Sequence, residues 1–143
     1  MLAKKITYKD FDGVEKTETF YFNLTKAEIA EMQLTHPGGY VEYLDSIVES
    51  KDINEIILAF TKLILDSYGE KSEDGRYFVK NEEMKSRFHT SEPYSILLME
   101  MIEDVDKAIE FVNAIIPASS IDENDRKELV EKTKARIEGM SQG

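Results

Sequence analysis

Apolar residues at Ile53, Ile56, Ile57, Phe60, Leu63, Ile64 and Tyr68 recur at helical spacing within the stretch INEIILAFTKLILDSY. A stripe that broad must be buried along its length, so the rest of the chain has to supply a surface that covers it. A single domain of 143 residues, 41% of them hydrophobic, can do this without staples. There is no cysteine, which removes a thiolate nucleophile, a redox pair and the usual zinc clusters, and suits a reducing cytoplasm. The apolar runs are short and broken by charge, and Met1-Leu2-Ala3-Lys4-Lys5 is not followed by a signal-peptide core. Neither export nor a membrane span is expected.

The formal net charge is −11, concentrated in the middle of the chain. Residues 25–69 carry eight acids against three bases, and 93–120 carry five acids against Lys107 alone. Residues 1–24 and 121–143 are close to balanced. An acidic body repels phosphate backbones, and the bases are scattered singly without aromatic interleaving, so direct nucleic-acid binding is not expected. Solubility is the plain reading of the acidity; a face that meets a basic or aggregation-prone protein is the sharper one.

Lys4 to Leu24 reads as a β-hairpin, with Ile6 and Tyr8 before Asp12-Gly13 and Phe20 and Phe22 after it. Its polar outer positions predict a sheet that lays one face on helices. Asp10 and Asp12 beside Gly13 resemble the start of a calcium loop, but the later ligands of that pattern are missing, and no metal is expected. Thr25 and Glu28 form a capping box for a helix to about Leu34, ended by His36-Pro37-Gly38-Gly39. Tyr40, Tyr43, Leu44 and Ile47 predict a second helix closing near Ser50, and Asp52 a cap for the central one. Gly69 to Gly75 reads as a loop, and Arg76 to Lys80 fits either a short strand or an extended arm. Asn81 caps a short helix to about Phe88. Pro93 opens a long helical pattern to Pro117, which Asp104 and Asp106 are expected to split. Ser120 and Glu123 open a charged helix to about Glu138, whose thin stripe is Leu129, Val130 and Ile137.

No constellation identifies a chemistry. His36 and His89 are the only imidazoles, and Ser91 near His89 is better explained as a helix cap than as a triad member. Glu82-Glu83 and Glu103-Asp104 are sequence neighbours that point apart on a helix. Neither zinc-protease, hydrolase nor dinucleotide motifs occur, so the chain reads as a non-enzyme without a cofactor. The methionines Met99 and Met101 suit either an adaptable binding groove or core filling.

The segments Lys5 to Gly13 and Thr17 to Glu28 are more specific than a hairpin requires. With Ile56 to Phe60, Leu65 to Ser72, Asp74-Gly75-Arg76 and Phe111 to Pro117, they resemble the tail assembly chaperones of long-tailed phages and prophages of Gram-positive bacteria. The resemblance covers roughly residues 4–117, and the charged tail from Ile121 departs from it. It implies a non-catalytic protein that binds the tape measure protein, recruits tail tube subunits in the host cytoplasm, and is left out of the finished virion. It also implies a longer product of ribosomal frameshifting in many such phages.

The expected architecture is therefore α+β, an N-terminal antiparallel hairpin packed on a mainly helical bundle of about five or six helices. Residues 1–118 form the hairpin and helical core, and 119–143 a charged C-terminal helix or tail. Candidate partner-binding residues are Leu129, Val130 and Ile137, with Met99 and Met101. Homo-oligomers stay open, as do two other functions: a minor tail component kept in the virion, and an acidic inhibitor of a host defence protein.

Overall fold

The alternating N-terminal segment forms β1 (Leu2–Lys9) and β2 (Glu15–Phe22), antiparallel, with Leu2 opposite Phe22 and Lys9 opposite Glu15. The structure, a computed structural model, describes residues 1–35 and 52–117 together with positions 42, 127, 131 and 135. Asp10 builds the hairpin turn. Its carboxylate accepts from the amides of Asp12 and Val14, each at 2.9 Å, and meets Lys16 at 2.9 Å. These bonds, the one from Lys16 first, hold the Asp10 carboxyl below its usual range. Gly13, with φ of 82°, takes the left-handed position that a side chain would strain.

Strand alternation puts Leu2, Lys4, Ile6 and Tyr8 on the side of β1 that faces the helices, level with Phe20 and Phe22 of β2. Ile6 and Phe22 are buried, whereas Ala3, Lys5, Thr7 and Lys9 are exposed. The sheet thus covers the core with one face, as its polarity predicts.

It is larger than a hairpin. Tyr68–Lys71 (β3) pairs with β2, setting Gly69 opposite Tyr21, and Phe78–Val79 (β4) pairs with β3, giving the order β1-β2-β3-β4. The loop expected from Gly69 begins only at Ser72, and Arg76 to Lys80 supplies a short strand. The reason is close approach: a Cβ on Gly69 would lie 2.8 Å from the Phe78 ring and 2.8 Å from the Val79 carbonyl oxygen. This glycine lets two strands and a ring meet; it does not loosen the chain.

Five helices lie among the described residues: α1 (Lys26–Thr35), α2 (Ile53–Ser67), α3 (Glu82–His89), α4 (Glu92–Glu103) and α5 (Val105–Ile115). The capping box at α1 is formed, the Thr25 amide donating to Glu28 at 3.0 Å and the Glu28 amide to the Thr25 hydroxyl at 3.1 Å. Asp52, Asn81 and Asp104 accept from the amides of Asn54, Met84 and Asp106. The Asp104 cap divides α4 from α5, as its preference for helix ends predicts. Ser91 precedes α4 without capping it; its hydroxyl donates instead to the Phe88 carbonyl at 2.6 Å.

The central stripe is buried at Ile56, Ala59, Phe60, Leu63 and Ile64, while Ile53 at the start of α2 is exposed. Over it sit Ile29 and Met32 of α1, Phe88 of α3, Leu97 and Met101 of α4, and Phe111 and Ile115 of α5. Phe22 ties the layers together, its ring centroid 5.8 Å from Tyr68, 5.8 Å from Phe88 and 5.3 Å from Phe111. The helix expected over Tyr40 to Ser50 and most of the one expected after Ser120 lie outside the described residues; Glu42, Lys127, Glu131 and Ala135 are helical and exposed.

Candidate functional site

A protein that binds other proteins needs exposed apolar groups on a rigid support. Helix α4 provides one such face. Ile96 and Met99, three residues apart, are 38% and 45% exposed, whereas Met101 is 1% exposed and belongs to the core. Two residues of helix separate the methionines by more than half a turn, so they serve opposite faces. Leu129, Val130 and Ile137 lie outside the described residues.

The hairpin tip provides a second support. Phe11 and Val14 are 79% and 54% exposed on the turn that Asp10 fixes. A turn pattern read from the sequence explains Asp10 and Gly13, and leaves these two residues without a structural task.

A cleft of about 330 Å³ lies between α1, α2, α3 and the end of β4. Leu24 and Met32 line it together with Lys62, Lys80, Lys85, Glu28, Glu31 and Asp66. Lys80 donates to the Asn23 carbonyl at 2.7 Å and to Glu28 at 2.6 Å. Lys62 and Lys85 both meet Asp66, at 2.7 and 3.6 Å. Bases that are scattered along the sequence converge here, which spacing could not reveal. Their opposite charges neutralise one another, Lys80 joining α1 to the end of β4 and Lys85 joining α3 to α2.

A third charged group fastens the other end. Glu100 of α4 receives Lys4 of β1 at 3.1 Å and Lys107 of α5 at 2.8 Å, beside a recess of about 60 Å³ lined partly by Leu97 and Phe111. Burial pushes the Glu100 carboxyl up, but hydrogen bonds from Lys107 and Lys4 outweigh it and hold the group below its ordinary value. Against the core, partial burial raises the Tyr68 hydroxyl, whose ring stacks on Phe88 at 4.1 Å.

The His89 and Tyr94 rings meet at right angles, their centroids 4.8 Å apart, and His36 lies outside the described residues. Among the described residues no group of three or more His, Cys, Asp or Glu could hold a metal ion, and no helix is long and apolar enough to cross a membrane. The geometry offers exposed apolar anchors on a charge-fastened scaffold. A family model described as a phage tail assembly chaperone matches residues 1–142. No curated protein and no solved structure matches the chain.

Proposed function

Because the chain belongs to the phage tail assembly chaperones, we propose that it is a non-catalytic chaperone that binds the tape measure protein and tail tube subunits while the tail is built. It does so in the cytoplasm of a Gram-positive host, serving a long-tailed phage or prophage, and leaves before the virion is finished. The family match carries this reading, because it spans 1–142 and so includes the charged tail as well as the core.

The physical chemistry supports the same role. A long helical client with apolar stripes aggregates when those stripes face water, and covering them needs adaptable apolar groups on a soluble carrier. The net charge of −11 keeps such a carrier and its cargo apart from other copies. Residues 1–118 form the scaffold, and 119–143 contribute Leu129, Val130 and Ile137 to the contact. Met99 adds an exposed thioether on α4, and Met101 acts from within by holding that helix on the core.

Co-expression with the tape measure and tail tube proteins, followed by size-exclusion chromatography with light scattering, tests this. The full chain should keep the tape measure protein soluble and elute with it. A full-length chain carrying Leu129→Glu, Val130→Glu and Ile137→Glu should lose the complex, and Met99→Glu should weaken it. If the unaltered chain binds neither protein, the proposed function is wrong. Mass spectrometry of purified virions should find no copy of it; a stoichiometric presence would make it a tail component instead.

A further inference from the structure

Strand β1 is an edge of the sheet. It pairs with β2 on one side and has no strand partner on the other among the described residues. The Asp10 amide donates to the Val14 carbonyl at 2.9 Å, which places 10 and 14 at a hydrogen-bonded position just beyond the Lys9–Glu15 end of the ladder. Because such pairs alternate, Ala3, Lys5, Thr7 and Lys9 turn their backbone N–H and C=O groups to the open edge. With no partner strand among the described residues, the eight residues of this edge are a template for another strand.

Three lysines stand on this strand, and one is in an unusual place. Lys5 and Lys9 are on the solvent side, but Lys4 is on the helix-facing side with Leu2 and Ile6, its ammonium held by Glu100 at 3.1 Å. A side chain there would otherwise be expected to be apolar, as Leu2 and Ile6 are. A second copy adding antiparallel to this edge, with its helices on the same side, must pair residues of like parity. Pairing centred on Lys4 sets Lys4 on Lys4, centring on Lys5 sets Lys5 on Lys5, and centring on Thr7 sets Lys5 on Lys9. Like charges directly opposite destabilise a ladder. Centring on Ile6 avoids this, and there Lys4 falls opposite Tyr8 of the other copy and its ion pair must leave water.

We propose that Lys4 is a guard, an inward-turned charge held ready by Glu100 that prevents β1 of one copy from adding to β1 of another. Lys5 and Lys9 block the registers centred on Lys5 and Thr7, and Lys4 blocks those centred on Lys4 and Ile6. The guard keeps copies of the chain from fusing through their sheets.

The test is light scattering of the full chain carrying Lys4→Val, with Lys4→Thr as a second, more polar variant. Both should keep the far-ultraviolet spectrum of the parent and double its mass. Lys107→Ala removes the other cation from Glu100 without touching the strand, and should keep the parent mass. Parent mass in both folded Lys4 variants would overturn the proposal, as would doubling by Lys107→Ala.

Discussion

Replacing Glu100 by glutamine removes an anion shared by lysines of two layers, Lys4 of β1 at 3.1 Å and Lys107 of α5 at 2.8 Å. A hydrogen bond to a charged group contributes roughly 1.5–3 kcal/mol in a buried setting. Here the Glu100, Lys4 and Lys107 side chains are 21%, 31% and 50% exposed, and solvent screening brings pairs of this kind towards roughly 0.2–1 kcal/mol each. Glutamine keeps an acceptor oxygen, so the two losses together come to about 1 kcal/mol. With a urea dependence of roughly 2 kcal/mol per molar, the midpoint should fall by about 0.5 M. The pH dependence separates this ion pairing from a change of shape. Because the folded Glu100 value is depressed, its stabilisation is present above the unfolded value and lost as pH falls through the folded one. Wild type should therefore exceed Glu100→Gln near neutral pH, and the gap should narrow below the ordinary carboxyl value of 4.5. Urea unfolding of both chains by circular dichroism, near neutrality and in acid, measures it. An equal gap at both, or none near neutrality, would refute the reasoning.

Phe22→Ala should cost about 3–5 kcal/mol in urea unfolding, because it empties the fully buried meeting point of β2, α3 and α5. That is a large part of the roughly 5–15 kcal/mol a domain commands. Gly69→Ala should cost about 1–3 kcal/mol by overpacking, and faster amide exchange at β3 and β4 should accompany it, since the Val79 carbonyl cannot yield as a ring can. Asn81→Ala should lose about 1 kcal/mol with its cap, while Ser91→Ala, which removes no cap, should lower the melting temperature less.

Local chemistry was legible. Thr25 with Glu28, Asp52, Asn81 and Asp104 are caps because short polar side chains satisfy orphan amides within a few residues, and such bonds need no distant partner. The hairpin was legible for the same reason, its turn bonds all lying between Asp10 and Lys16. What escaped depends on remote partners. Tyr68 has the spacing of the helix before it and Gly69–Lys71 the composition of a loop, and they become a strand because Tyr21 and Phe22 offer them a ladder. Lys62, Lys80 and Lys85 look scattered until α2, α3 and β4 bring them to one cleft. Met99 and Met101 could not be separated by type, only by the turn of helix between them.

Helix α2 passes into β3 with no residue between Ser67 and Tyr68. The join is locked: the buried Ser67 hydroxyl donates to the Leu63 carbonyl at 2.6 Å, and the Ser67 carbonyl receives the Asn23 amide at 2.7 Å. Without slack at that point, the central helix cannot rotate unless the sheet turns with it, so the two behave as one lever. Hydrogen exchange should record this as a single opening event shared by amides from Phe60 to Gly69 and those of Phe20 to Leu24. The break at Asp104 is spanned as well, its carboxylate capping α5 while Lys107 of α5 meets Glu100 of α4 at 2.8 Å.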